Sequence, residues 1–250
     1  MTSLDVQEVG HSFGGLNVLT NVSFDVPAGK IVGLIGPNGS GKSTLFNIIN
    51  GFLVPRAGKV LLDGADLSAM SVEARSRAGL VRTFQTPKVF EHMTVIENLM
   101  AGAYKLTRSG VLSDMFRLPG ARRDVAMMRD QAHELCRRFG LERLHATAAG
   151  LLTSGQRRML ELARTYAGKP RLLLLDEPSS GLTAEEVSQL GEWLKRLNDE
   201  GMTLLLVSHD MQLMNVASMV HVLYFGEIIA TGTMDDIQRN PKVREVYLGA

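Results

Sequence analysis

The plainest chemistry in this 250-residue chain lies in Gly36-Pro37-Asn38-Gly39-Ser40-Gly41-Lys42-Ser43, followed by Thr44. It fits G-x-x-x-x-G-K-[ST] at every defined position. Glycines let successive amide N–H groups turn inward, and a helix starting there adds its positive end, so such a loop binds phosphate. Lys42 is spaced to reach β and γ phosphates, and the Ser43 hydroxyl suits Mg²⁺. An ordinary glycine-rich turn would need neither Lys42 nor Ser43 in register. A second element is Leu172-Leu173-Leu174-Leu175-Asp176-Glu177, an apolar run ending in two carboxylates. Asp176 suits Mg²⁺, directly or through water, and Glu177 is placed to polarise an attacking water. Alone, an apolar run ending in two acids is a weak signal; with the phosphate loop it points to hydrolysis of, or switching by, a nucleoside triphosphate. His209 follows a third apolar run, Thr203 to Val207, where an imidazole can contact a γ-phosphate; by residue type alone it also reads as a solvated loop histidine.

These residues need elements that hold them at one edge. Residues 4 to 35 read as strands with turns, ending in the apolar strand Ile31 to Ile35 just before the loop. After it, Leu45, Phe46, Ile48, Ile49 and Phe52 show helical periodicity, with Gly51 a stop. Lys59 to Leu62 is a further strand, closed by Asp63-Gly64. From about residue 90 to 150 helix patterns replace strands, with a looser region between Arg108 and Gly120. From Leu172 the strand–helix alternation returns: a strand, a helix over about 184–199, then Thr203 to Val207. A hairpin follows, from Val222 to Tyr224 and Glu227 to Ala230 around Gly226. Alternation of this kind implies an α/β fold with a parallel sheet and packed helices, and ligands collect at the C-terminal edge of such sheets.

Composition excludes several classes. Hydrophobic residues are 45% and charged residues 21%, which suits a folded globular chain. With 27 basic against 26 acidic residues the net charge is +1, so no bulk field argues for nucleic acid or anionic lipid. The one cysteine, Cys136, rules out an intrachain disulfide framework, and its place in an apolar helical stripe predicts a packed thiol. No apolar run approaches the roughly 20 residues of a spanning helix, and the N-terminus lacks a signal-peptide pattern, so a membrane would be met through a partner.

Leu152-Thr153-Ser154-Gly155-Gln156, 20 residues before Asp176, resembles the L-S-G-G-Q signature of ATP-binding-cassette ATPases. The order Phe13, phosphate loop, Gln85, signature, Asp176-Glu177, Ser180 to Thr183 and His209 is similar to that family over essentially the whole chain. The resemblance implies a P-loop core with an antiparallel β part and an inserted helical lobe: one cassette over 1–250, with core residues 1–89 and 158–250 and a lobe over about 90–157. It implies ATP and Mg²⁺ as cofactors. Gly36 to Thr44 would contact the nucleotide, Phe13 would stack on adenine, and Thr153, Ser154, Gly155 and Gln156 would meet ATP held by a second cassette. Ser43, Gln85 and Asp176 would surround Mg²⁺; Glu177 would be the catalytic base, His209 the γ-phosphate switch, with Lys42 and Gln85 assisting. Thr153 and Ser154 stand where the family usually has Ser and Gly. Ser154 also reads as the N-cap of a helix over Gln156 to Tyr166. Ser180-Gly181-Leu182-Thr183 lacks the family's acid, and Thr183-Ala184-Glu185-Glu186 reads as a capping box. Phe13 alternatively reads as a core aromatic in an edge strand.

Arg82-Thr83-Phe84-Gln85 and Met93 to Leu99 resemble the larger ATPase subunit of branched-chain (hydrophobic) amino acid importers, as do the extra stretch near Lys105 to Arg123 and the tail Val243 to Gly249. The expectation is an ATPase at the cytoplasmic face of a membrane, serving two permease subunits and a second ATPase chain, itself or a relative. An extracytoplasmic solute-binding protein would act indirectly, and no nucleic acid is involved. The alternatives are a urea or amide importer ATPase, a lipid or lipopolysaccharide exporter ATPase, and a soluble scaffold ATPase of the iron–sulfur assembly class.

Overall fold

The computed structural model describes residues 3–104 and 119–248. The chain divides into two compact units, residues 1–85 with 171–250, and residues 86–170. The first unit is α/β. Strands β1 (Leu4–Phe13), β2 (Leu16–Val26), β4 (Ala57–Leu62) and β5 (Ala65–Asp66) form an antiparallel sheet in the order β2-β1-β4-β5. A second sheet runs β10-β9-β3-β8-β7-β6, from β10 (Glu227–Gly232) and β9 (Met219–Tyr224) through β3 (Ile31–Ile35), β8 (Thr203–Val207) and β7 (Leu172–Asp176) to β6 (Leu80–Arg82). All pairings from β9 to β6 are parallel, and only β10 runs against its neighbour. Every residue of β3 and β8 is buried, the uninterrupted apolar pattern of strands covered on both faces.

Helix α1 (Lys42–Asn50) follows β3 and buries Leu45, Phe46, Ile48 and Ile49, one stripe of a 3.6-residue repeat, against Leu34, Leu174 and Leu205 in the core. It ends at Gly51, whose φ of 90° only glycine adopts without strain. The unit also holds α2 (Val72–Arg77). The strand β6 was not foreseen, because three residues carry no periodicity; β7 makes it a strand by pairing Leu80, Val81 and Arg82 with Leu172, Leu173 and Leu174.

The second unit is helical: α3 (Val95–Ala103), α4 (Pro119–Arg138) and α5 (Ser154–Ala167), with short 3₁₀ turns at Glu142–Leu144 and Ala149–Leu151. Its boundaries at 86 and 170 differ from the expected 90 and 157, for a packing reason. Helix α5 lies against α3 so closely that a Cβ on Gly102 would stand 2.2 Å from the Arg164 carbonyl oxygen. Residues 86–89 stay with it, because Glu161 Oε1 accepts the Lys88 N–H at 3.0 Å. Cys136 is buried with Ala132, Leu135 and Phe139, and burial pushes its thiol up to about 11, the inert packed cysteine its stripe predicts. Most of the stretch from Lys105 to Arg123, and Gly249 of the tail, lie outside the described residues. The first unit continues with α6 (Ala184–Asp199), α7 (Met211–Met214), α8 (Met234–Arg239) and α9 (Pro241–Leu248).

Candidate active site

Parallel pairing brings the C-terminal ends of β3, β6, β7 and β8 to one edge, with Leu34 beside Val207 and Asp176 beside Val207. A cavity of about 290 Å³ opens there. Its lining includes Asn38, Gly39, Gly41, Lys42, Ser43, Thr44, Gln85, Asp176 and Glu177, with Val18 and Val207. Residues from five separated stretches of sequence thus meet in one place.

The loop is shaped by close approaches. A Cβ on Gly36 would stand 2.2 Å from the Leu223 carbonyl oxygen of β9, so no larger residue fits. Gly41 has φ 106° and caps α1 without any side-chain hydrogen bond. The first amides of α1 therefore face the cavity with no side-chain acceptor on their cap, the condition for anion binding. Lys42 folds back over the loop, its Nζ donating to the carbonyls of Gly36 at 2.7 Å and Pro37 at 2.9 Å. Burial lowers its pKa, while Glu177 and Asp176 pull it back toward the charged form. The Ser40 side chain turns away from solvent, and its carbonyl accepts the Gly226 N–H at 3.0 Å, which ties the loop to the β9–β10 turn.

Glu177 stands just past β7 with φ 46°, a left-handed conformation rare for glutamate, held by its own N–H donating to the Val207 carbonyl at 2.8 Å. Its Oε2 lies 2.7 Å from His209 Nδ1 and also accepts the His209 backbone N–H at 3.3 Å. The structure therefore joins the two residues expected to act on water and on the γ-phosphate. Ser208, fully buried, shares a 3.1 Å hydrogen bond with Ser179, so the segments carrying Glu177 and His209 are also linked behind them. Asp176 is engaged otherwise than expected: its Oδ2 accepts Arg82 Nη2 at 2.6 Å. In the sequence Arg82 stands out only as part of Arg82-Thr83-Phe84-Gln85. No sequence signal announced this pairing, which joins residues 94 positions apart.

Oxygen donors from Ser43, Gln85 and Asp176 on one cavity fit Mg²⁺, which takes a few protein oxygens together with substrate phosphates. Phe13 is half exposed at the end of β1, its ring edge-on to His11 at 4.7 Å. It is therefore not a core aromatic, and β1 lies inside its sheet, not at the edge. In the helical unit the N-cap of α5 is Thr153, not Ser154. Thr153 Oγ1 accepts the Gln156 N–H at 3.3 Å, and Gln156 Oε1 accepts the Thr153 N–H at 3.0 Å. The hydroxyl is the better acceptor one residue earlier because only there does the side chain of the third helical residue answer it. Thr183 and Glu186 form the expected capping box at α6.

A phosphate loop after β3, a carboxylate pair at the end of β7 and a helical unit with its own signature define an ATP-hydrolysing transport cassette. Residues 19–180 match the ABC transporter family model, and the chain belongs to that family. Residues 227–250 match a model described as branched-chain amino acid ATP-binding cassette transporter. The chain is 38% identical over 248 residues to the high-affinity branched-chain amino acid transport ATP-binding protein LivG of Escherichia coli K12, covering 98% of this chain and 97% of LivG. It is 32% identical over 250 residues to the lipopolysaccharide export system ATP-binding protein LptB of the same organism, covering 100% and 98%. Among solved structures, the ADP conformation of MJ1267, an ATP-binding cassette of an ABC transporter, superposes with a TM-score of 0.86 at 31% identity, covering both chains fully.

Proposed function

We propose that this chain is the ATP-hydrolysing subunit of an importer for branched-chain or other hydrophobic amino acids, bound peripherally to the cytoplasmic side of two permease subunits. No helix among the described residues is long and apolar enough to cross a membrane. The permease subunits would supply the permeation path. A second cassette, identical or related, completes the site, and an extracytoplasmic binding protein supplies the solute. The observation that carries the ATPase reading is the single cavity uniting Lys42, Ser43, Gln85, Asp176 and Glu177. The match of residues 227–250 supports the amino-acid reading.

Each residue has a task. The amides of Gly39 to Ser43 and the N-terminus of α1 hold the β and γ phosphates, and Lys42 exchanges its two loop carbonyls for phosphate oxygens. Bound Mg²⁺ would neutralise charge building on the γ-phosphate. Ser43 and Asp176 would hold it, and Gln85 would orient the attacking water. Glu177 accepts the proton of that water, and His209, already hydrogen-bonded to Glu177, keeps the carboxylate aimed and contacts the γ-phosphate. Phe13, left exposed, stacks on the adenine. Thr153, Ser154, Gly155 and Gln156 close on ATP held by the second cassette. Identity of 32% to LptB favours one second reading, export of a lipid-linked substrate. Purification of the tagged chain with its membrane partners separates them. Two polytopic permeases with another ATPase and a solute-binding protein support import. A lipid-export assembly replaces the solute, and soluble partners alone overturn transport.

A further inference from the structure

The cavity's carboxylate Asp176 already has a cation. Arg82 Nη2 donates to Asp176 Oδ2 at 2.6 Å, and the two side chains are only 8% and 15% exposed. Three other groups hold the guanidinium in place. Nη1 donates to Asn47 Oδ1 at 2.7 Å, and the rings of Phe46 and Phe84 lie 5.6 and 5.9 Å from it. Asn47 is four residues after Ser43 on α1, hence on the same face one turn further from the phosphate loop. Arg82 is thus bound to both elements that flank the Mg²⁺ position, α1 and the end of β7. Glu177 adds a second carboxylate beside Asp176, and two adjacent acids facing one cavity repel when no cation stands between them.

We propose that Arg82 is a resident counter-cation. It holds the Asp176 side chain in place while no metal is bound, and Mg²⁺ must bind against its positive charge. Arg82 is a positioning residue in this account, since it touches the carboxylate and not the phosphates. It raises the Mg²⁺ concentration the site needs, so that nucleotide without metal is not held in the geometry that hydrolyses. The inference rests on the reading of Asp176 as a Mg²⁺ contact.

The test is a Mg²⁺ titration of the full chain carrying a fluorescent ATP analogue, read by fluorescence and not by hydrolysis. Arg82→Met removes the charge and keeps the bulk, Arg82→Lys keeps the charge without the fork, and Arg82→Gln is a second uncharged variant should Arg82→Met fold poorly by circular dichroism. The half-saturating Mg²⁺ concentration is expected to fall roughly five-fold in Arg82→Met or Arg82→Gln, the order of one partly shielded charge pair, and to stay within about two-fold in Arg82→Lys. A higher or unchanged Mg²⁺ requirement without the charge overturns the proposal, as does Arg82→Lys moving as far as Arg82→Met. Asp176→Asn separates the two claims. If it leaves the Mg²⁺ response intact, the reading of the metal site fails and takes the proposal with it. If it abolishes the response while Arg82→Met changes nothing, only the role of Arg82 is lost.

Discussion

The two helix N-termini assigned to ATP are built in opposite ways. Helix α1 begins at Gly41 with no side-chain cap, and its C-terminal end is closed instead by Arg75. That arginine is fully buried and donates through Nη1 to the carbonyls of Ile48 at 2.5 Å and Ile49 at 2.7 Å. Helix α5 begins with a complete capping box of Thr153 and Gln156, the same device that opens α3, α6 and α8. The first end leaves donors for a ligand; the second has already used two of its own. Phosphate therefore meets no internal competitor at α1, whereas a ligand at α5 must displace a cap interaction of about 1 kcal/mol. The proposed phosphate site is thus open in the single chain, whereas the proposed signature contact is closed by its own cap.

The largest expected effect separates binding from turnover. Glu177→Gln should lower steady-state phosphate release by roughly 10² to 10⁴-fold while ATP binding, measured by equilibrium titration, persists. Normal turnover in that variant would remove Glu177 as the base and leave its hydrogen bond with His209 a structural contact. Next comes the closed end of α1. Arg75→Met would leave buried carbonyls without their donor, and denaturant unfolding should show a loss of about 2–5 kcal/mol. A smaller loss would mean that water replaces the guanidinium there.

Gly41→Ala perturbs the open end of α1. A Cβ there would stand 2.8 Å from Leu19 Cδ2 and 2.9 Å from the Val18 carbonyl oxygen, at φ 106°. The strain should lower stability by about 1–3 kcal/mol and weaken ATP binding together. At the other N-termini, Thr153→Val and Thr94→Ala each remove one cap and should lower stability by about 1 kcal/mol. Only Thr153→Val should also reduce ATPase activity in the assembled transporter. Equal effects of the two on activity would make α5 an ordinary helix. Cys136 provides the smallest signal: with its thiol held near 11, a thiol reagent at pH 8 should label it only after unfolding.

Local chemistry was legible in the sequence and long-range pairing was not. The strand Ile31–Ile35, the helix Ala184–Asp199 and the Gly51 stop follow from apolar runs, a capping box and one glycine, all within a few residues of where they act. The phosphate loop and Asp176-Glu177 were visible for the same reason. Strand β6 escaped because its identity lies in β7, 92 residues away in sequence, and Arg82 escaped with it. The cap of α5 was misplaced by one residue although Thr153-x-x-Gln156 spells the box, because Ser154 is an equally good cap by type and only the geometry of Gln156 chooses between them. The contact between Glu177 and His209 needed the parallel register of β7 and β8.

ATP binding by the single, unpartnered chain distinguishes the two helix ends most directly. Equilibrium titration with ATP should show Lys42→Ala losing roughly 10- to 100-fold in affinity, the measure of one charge-assisted contact. Thr153→Val should stay within about two-fold of the unaltered chain. A loss in Thr153→Val as large as that in Lys42→Ala would contradict the division between an open phosphate site and a closed signature.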